Sequence, residues 1–172
     1  MDFWQAAAER VSVRNFDPDR PVTDEELHRL LETAIRAPSA GNLQPWTFYV
    51  VRDPAVRQAL ASAAFGQSFV SQAPVIIVVC AEPERSATRY GDRGRHLYCL
   101  QDTAAAITHL QLGAVALGLG SCWVGAFDER AASEALELPR GLRPVAIVPV
   151  GRPLRAATPR PRRPLAEFTR GL

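Results

Sequence analysis

Apolar residues recur at helical spacing in five stretches of the chain. The clearest stretch follows Thr23 and Glu26, which form a capping box, and its leucine, alanine and isoleucine side chains recur at i, i+3, i+4, i+7 and i+8 from Leu27. Pro38 ends this helix, because the residue before a proline disfavours the helical conformation. Similar patterns predict helices over residues 2–10, 54–64, 94–118 and 129–136.

Four other stretches are rich in β-branched residues and predict strands, over residues 47–51, 74–80, 121–124 and 144–150. The continuous apolar run at 74–80 is typical of a central strand that is buried on both faces. Strands alternate with helices without a regular repeat, so we expect a mixed α and β protein, with the pairing of its strands left open. We interpret residues 1–172 as a single domain.

Residues 152–172 differ in character from the rest. They are dominated by proline and arginine and contain too few apolar residues to form a core. This segment is therefore either a disordered tail or an extended arm that lies on another surface.

Composition excludes several classes of function. The net charge is only +2, which argues against nucleic-acid binding by the chain as a whole, although the arginine-rich end keeps that alternative open. The chain has no apolar run near the ~20 residues that a membrane span needs, and it begins without a signal-peptide pattern, so we expect a cytoplasmic protein without a membrane partner. The three cysteines are widely spaced in apolar surroundings and are expected to be buried, reduced thiols.

The chain contains no lysine, since all 20 of its Lys and Arg residues are arginine. A phosphate loop of the Walker type and a Schiff-base nucleophile are thereby excluded. The three histidines lack metal-ligand spacing, and we expect no metal site. An anionic ligand would have to be bound by arginine, by hydroxyls or by backbone N–H groups, and the planar guanidinium suits phosphate well.

Arg10, Ser12 and Arg14 alternate with apolar residues. In an extended segment their side chains share one side and span roughly 13 Å, a row that suits a ligand with a phosphate and a hydroxylated linker. The alternative interpretation is a solvated basic turn after a helix.

Two further segments are candidates for binding. In the loop at 37–46, Ser39 and Asn42 are able to hydrogen-bond the edge of a heterocycle, or the loop is simply a tight connection with Trp46 in the core. Gly118 and Gly120 lack the third glycine of the dinucleotide fingerprint, so a Rossmann site is not expected, whereas the backbone at 125–126 is able to approach a flat ring.

Four motifs, in this order, resemble the nitroreductase family of FMN-dependent oxidoreductases, especially its short members, over about residues 3–165. They are Arg-x-Ser-x-Arg-x-Phe at 10–16, Ala-Pro-Ser-x-x-Asn-x-Gln-Pro-Trp at 37–46, Gly-Leu-Gly-Ser-Cys-Trp-Val-Gly-Ala-Phe at 118–127 and Pro-Val-Ala-Ile-Val-Pro-Val-Gly-x-Pro at 144–153. The resemblance implies an α+β fold, a three-layer α/β/α sandwich with a central, mostly antiparallel sheet. It also implies an extended C-terminal arm and a domain-entwined homodimer with FMN bound between the subunits.

The resemblance assigns roles to individual residues. The phosphate would be held by Arg10 with Arg160 and Arg162, although Arg163 is an alternative. Ser12, next to Val11, would contact the ribityl chain, and Arg14 would stabilise the negative charge that develops near N1 and O2 of the flavin. The other subunit would contribute the loop residues, and the backbone near N5 and O4 would come from a glycine and an alanine. These residues are Pro38, Ser39, Ala40 and Asn42 from the loop, and Gly125 and Ala126.

The activity implied is hydride transfer from NADH or NADPH to the flavin and then to a nitroaromatic, quinone or similar small-molecule acceptor, in a ping-pong cycle without a protein nucleophile. Many family members have lysine at position 14, and the chain lacks the long insertion of the larger enzymes, so the resemblance leaves the acceptor open. The alternatives are a specialised branch of the family (dehalogenation, heterocycle oxidation or flavin breakdown) and a non-catalytic protein that binds or senses flavin.

Overall fold

A computed structural model of the chain describes residues 1–171. The helices are α1 (Phe3–Glu9), α2 (Asp24–Ala34), α3 (Pro54–Ala63), α4 (Ser68–Gln72), α5 (Pro83–Arg93), α6 (Cys99–Ala116) and α7 (Glu129–Ala135). The strands are β1 (Trp46–Val51), β2 (Val75–Ala81), β3 (Gly120–Ser121) and β4 (Arg143–Gly151). Short 3₁₀ turns lie at Ala40–Asn42 and Leu165–Glu167. No helix of the part described is both long and apolar enough to cross a membrane.

The strands form one sheet in the order β1-β2-β4-β3, and each neighbouring pair is antiparallel. Strands β2 and β4 are central, which accounts for their nearly continuous apolar sequences. The antiparallel pairing resolves the question that the sequence pattern alone left open.

The sheet is covered by helices on both faces. Val75, Ile77 and Val79 of β2 pack into a core with α2 and α6, whereas Ile76 and Val78 pack into a second core with α3, α4 and α7. This arrangement follows from the alternation of side chains along a strand. The fold is therefore α+β with a layer of helices on either side of the sheet, as predicted.

Two predicted helix starts are confirmed by their caps. The Thr23 hydroxyl accepts from the Glu26 N–H at 3.1 Å, and the Glu26 carboxylate accepts from the Thr23 N–H at 3.0 Å. The Asp53 carboxylate accepts from the first amides of α3, at 2.9 Å each. Such caps stabilise a helix by about 1 kcal/mol each.

The predicted helix over 94–118 is wrong at its beginning. Residues Gly94–Tyr98 form a π-helical turn, and α6 starts only at Cys99. Helix α5 was missed because its sequence is almost entirely polar, and α4 was missed because it is only five residues long. Gly118 follows the end of α6 with a φ of +70°, a conformation that glycine adopts readily and that ends the helix.

The predicted strand over 121–124 is also too long. Only Gly120 and Ser121 pair as β3 with β4, and Val124 makes an isolated bridge to Ile147. A Cβ at Gly120 would lie 2.6 Å from a methyl carbon of Val13, so glycine at this position lets an N-terminal segment pack against the sheet.

That segment, residues 11–17, joins the sheet to the C-terminal arm. The Asp17 N–H donates to the carbonyl of Arg152 at 2.9 Å, and the Leu154 N–H donates to the carbonyl of Asn15 at 3.1 Å. Arg152 also pairs with Glu26. Burial raises the pKa of Glu26, but hydrogen bonds from Thr23 and Arg152 outweigh it and hold this pKa below its usual value. The first residues of the arm are therefore fixed to the body of the domain.

Candidate functional site

A polar cleft of about 310 Å³ lies between the 11–17 segment and the C-terminal arm. Its lining contains four guanidinium groups, two hydroxyls and no carboxylate. The lining residues are Arg10, Val11, Ser12, Arg14, Thr158, Arg160 and Arg162. We call this the arginine cleft.

The alternation of the 11–17 segment positions one side of the cleft. Ser12 pairs in a parallel bridge with Ser121, and the Val13 N–H donates to the Ser121 carbonyl at 2.9 Å. Val13 is buried in a small apolar cluster, whereas Ser12 and Arg14 are exposed. The predicted row of two cations and a hydroxyl is thus placed along one cleft.

The arm supplies the opposite side. Ala157 packs against the cluster of Val13, Phe16 and Ala73, and the next residues of the arm enter the cleft wall. Arg163 is directed elsewhere, because its guanidinium donates to Glu167 at 2.6 Å and lies 4.5 Å from the centroid of the Phe168 ring. Of the three arginines that the sequence offered, Arg160 and Arg162 line the cleft. Thr158 lines it too, although no motif of the sequence points to this residue.

The cleft carries a concentrated positive charge. Within residues 1–171, Arg10, Arg14, Arg160 and Arg162 form no salt bridge with a carboxylate. Arg14 lies 5.8 Å from the centroid of the Phe69 ring, which is half-buried. Guanidinium and hydroxyl donors without a competing carboxylate are the donor set that a phosphate dianion requires, so these residues fit the phosphate end of FMN.

The loop at 37–46 is held by hydrogen bonds to α6 and within itself. Asp102 of α6 is only 7% exposed, and its Oδ1 accepts from the Ala40 N–H at 3.0 Å. Ser39 Oγ accepts from the Gln44 N–H at 3.0 Å, and both Asn42 and Gln44 have a positive φ. Burial raises the pKa of Asp102, and the hydrogen bond from Ala40 acts in the opposite direction. Asp102 is not among the predicted site residues, although it is the only acid between residues 94 and 118 and is in that respect a usable signal.

Neither the loop nor residues 125–126 line the arginine cleft of the same chain. Pro38 and Asn42 are exposed, Ser39 and Ala40 are half-buried, and Gly125 and Ala126 are exposed beside β4. The candidate residues thus fall into separate groups within one subunit. The structure brings together the row at 10–14 and the arm, and leaves the loop and the 125–126 backbone apart from them.

Other candidates have structural roles. Trp46 is buried against Ala37 and Ala106, as its interpretation as a core residue predicted. Burial raises the pKa of the Cys122 thiol, although Arg14 acts in the opposite direction, and burial raises that of Cys80 to about 12. All three cysteines are buried and unpaired by disulfides. No group of three or more His, Cys, Asp or Glu side chains within residues 1–171 is arranged to hold a metal ion.

A comparison with known families matches residues 7–71 and 62–152 to a model described as the nitroreductase family. A Thermus thermophilus protein named NADH dehydrogenase is 34% identical to the chain, over 96% of the chain and 93% of that protein. A Bacillus subtilis protein named FMN reductase [NAD(P)H] is 29% identical, over 89% of the chain and 66% of that protein. The solved structure of a nitroreductase family protein from Clostridium novyi superposes with a TM-score of 0.81 at 34% identity, over 89% of the chain and 86% of that structure.

Proposed function

Because the chain belongs to the nitroreductase family, we propose that it is an FMN-dependent oxidoreductase that takes hydride from NADH or NADPH and reduces nitroaromatic, quinone or similar electrophilic acceptors in a ping-pong cycle. We further propose that it works in the cytoplasm as a homodimer, with FMN at the subunit interface.

The arginine cleft is the observation that carries this proposal. Arg10, Arg160 and Arg162 would donate to the phosphate, and Ser12 with the adjacent Val11 would contact the ribityl chain. FMN is a dianion at its phosphate end, and four guanidinium groups without a carboxylate offset that charge. Riboflavin lacks this group, so the cleft favours the phosphorylated form of the flavin.

We propose a second role for Arg14. Bound FMN would supply the hydride-accepting chemistry, which no side chain of the protein provides. Arg14 lies in the same cleft as the proposed phosphate ligands, at the end of the row nearest to Phe69. A fixed cation there would stabilise negative charge that develops on the ring system during the transfer, without a reorganisation of solvent.

The separation of the candidate groups supports a dimeric site. Pro38, Ser39, Ala40 and Asn42 would reach the flavin from the second subunit, and the exposed backbone of Gly125 and Ala126 would border its ring. Several large apolar side chains are also exposed, as expected for a surface that a partner covers. They include Phe3 (62%), Trp4 (79%), Phe65 (71%), Leu165 (75%) and Phe168 (60%).

An anaerobic visible spectrum of the purified protein tests this function. We expect a bound flavin that bleaches within seconds of NADH or NADPH addition, and whose colour returns when a quinone or nitroaromatic is added. A flavin that stays oxidised with both nicotinamides would contradict the reductase and favour a flavin sensor. Colour that returns with oxygen but with none of the acceptors would point to a specialised branch of the family.

A further inference from the structure

We propose that Arg89 and Arg93 of α5, with the rings of Tyr90 and Tyr98 between them, bind the phosphate-bearing half of the nicotinamide donor beside the 37–46 loop. This inference rests on the proposed function, because it assigns a recognition site to a substrate of that reaction. We call these four residues the Arg–Tyr cluster.

The charges around α5 leave these two arginines available. The segment contains four arginines, and its acids are used by the other two. Arg85 pairs with Glu82 at 3.7 Å, and Arg95 pairs with Glu84 at 2.8 Å and with Asp92 at 2.5 Å. In the part of the chain that the structure describes, Arg89 and Arg93 have no carboxylate partner. Two exposed guanidinium groups on one short segment thus have no carboxylate that competes with an anionic ligand.

The two tyrosines organise these guanidinium groups. The Arg89 guanidinium lies 5.5 Å from the centroid of the Tyr90 ring, and that of Arg93 lies 5.2 Å from the Tyr98 ring. Arg93 Nε also donates to the Tyr98 hydroxyl at 2.8 Å. The rings are 5.2 Å apart at 80°. Cations held over aromatic faces are restricted in rotation, which lowers the entropy cost of binding a ligand.

The Arg–Tyr cluster adjoins the 37–46 loop. A Cβ at Gly41 would lie 2.7 Å from the Tyr90 hydroxyl and 2.9 Å from Nη1 of Arg89, so both side chains stand directly over the loop backbone. Since this loop is proposed to border the flavin, the cluster lies at the rim of the same site. A donor whose nicotinamide stacks on the flavin would extend its other half past this rim.

The backbone here is held in costly conformations. Gly91 has φ +54° and ψ −137°, a region that is essentially restricted to glycine, and the chain continues into the π-helical turn Gly94–Tyr98. Gly94 packs against the carbonyl of Ser86 so closely that no Cβ would fit, and the fully buried Ser86 Oγ has no hydrogen-bond partner among the described residues. Single π turns and strained residues are concentrated at functional sites. The unfavourable backbone conformation of this segment is thus consistent with a binding role for the arginine and tyrosine side chains that it carries.

The chemistry favours the donor over the acceptor as the ligand. A nicotinamide dinucleotide carries a pyrophosphate with two negative charges and an adenine ring, which suit two guanidinium groups and two aromatic faces. Quinones and most nitroaromatics are neutral, so two guanidinium groups without a carboxylate partner would add little to their binding energy. The Arg–Tyr cluster therefore fits the pyrophosphate and adenosine portion of NADH or NADPH.

The test uses the FMN-loaded protein and the double variant Arg89→Gln/Arg93→Gln, with Arg130→Gln on α7 as a matched surface control. Calorimetry with ADP-ribose measures binding without any reaction, and stopped-flow spectroscopy measures flavin bleaching by NADH and by 1-benzyl-1,4-dihydronicotinamide, which has no phosphate. In the double variant we expect the Kd for ADP-ribose to rise by about 10-fold to 100-fold, and the rate of flavin bleaching at low NADH concentration to fall by the same factor. This is the effect of losing one or two charge-assisted hydrogen bonds. The rate with the phosphate-free donor and the FMN content are expected to match those of Arg130→Gln.

Two results would overturn the inference. An unchanged NADH rate and ADP-ribose affinity would show that the Arg–Tyr cluster does not bind the donor. An equal loss with NADH and with the phosphate-free donor would show that the arginines act only by supporting the loop. Failure of the proposed function itself is a separate result, since the unmodified protein would then bleach with neither donor.

Discussion

Asp102 provides the most detailed prediction, because one hydrogen bond connects this helix residue to the loop proposed to contact the flavin. Its Oδ1 accepts from the Ala40 N–H at 3.0 Å, while Oδ2 is buried and unpartnered within the described residues. Asp102→Leu keeps the approximate size but removes the acceptor. A hydrogen bond to a charged group is worth about 1.5–3 kcal/mol, so the loop would populate other conformations and the Kd for FMN would rise by about 10-fold to 100-fold. Asp102→Asn keeps an oxygen acceptor, and we expect FMN affinity within about threefold of the unmodified protein.

The same residue is expected to lower the free energy of unfolding as pH rises, although it supports the loop. Burial raises the pKa of Asp102 in the folded protein above its ordinary value of 3.8, so the folded state binds more protons than the unfolded state as pH rises past that value. Stability contributed by Asp102 is therefore fully present below pH 3.8 and is lost as pH rises through the folded-state pKa. The Asn variant lacks this loss, so its free energy of unfolding relative to the unmodified protein should increase with pH and then level off.

Fluorescence titration with FMN and urea unfolding at several pH values measure both effects. The reasoning would be refuted if Asp102→Leu bound FMN as tightly as Asp102→Asn, since the acceptor would then be irrelevant to the loop. It would also be refuted if the stability difference between Asn and Asp did not change with pH.

Three other changes test neighbouring parts of the account. Gly120→Ala would place a Cβ 2.6 Å from Val13 and displace the 11–17 segment. We expect urea titration to show a loss of about 1–3 kcal/mol of unfolding free energy. The control Gly171→Ala, whose Cβ would meet open space, should leave the unfolding free energy unchanged. Ending the chain at Ala157 retains the backbone hydrogen bonds of Arg152 and Leu154 but removes Thr158, Arg160 and Arg162. We therefore expect a folded protein that purifies without flavin. Full flavin content would mean that the arm has no part in flavin binding. Arg14→Gln should slow flavin reduction, measured by stopped-flow bleaching, by about 10-fold to 100-fold with FMN still bound, and Arg14→Lys should retain most of the rate. Equal rates in the unmodified protein and both variants would exclude an electrostatic role for Arg14.

The sequence predicted those parts of the fold whose signals are local and periodic. The capping box at Thr23 and the alternation at 10–14 depend on neighbours within a few residues, and both have their counterparts in the structure. The apolar run of β2 also indicated burial on both faces, which the two helix layers provide.

The misses arose where tertiary contacts decide the local structure. Of the strand predicted at 121–124 only the beginning pairs as β3, and Gly120 and Ser121 there also contact Val13 and Ser12, which lie more than 100 positions away in sequence. Helix α5 has no apolar stripe from which the sequence pattern could predict it. The π-helical turn that follows it brings Gly94 against the carbonyl of Ser86, a contact that no sequence pattern indicates. The partnership of Asp102 with Ala40, and the choice of Arg160 and Arg162 over Arg163, likewise depend on distances that no sequence pattern encodes.

The central claim is that the arginine cleft binds the phosphate of FMN, and the most direct test compares FMN with riboflavin, which differ only in that phosphate. The measurement is the Kd of each flavin for the unmodified protein, for Arg160→Gln/Arg162→Gln and for Arg163→Gln, the matched control that lies in the same arm but pairs with Glu167. We predict that the unmodified protein and Arg163→Gln bind FMN about 100-fold or more tightly than riboflavin, and that the double variant loses most of this preference through weaker FMN binding alone. Equal affinity of the unmodified protein for both flavins, or an unchanged preference in the double variant, would contradict the account.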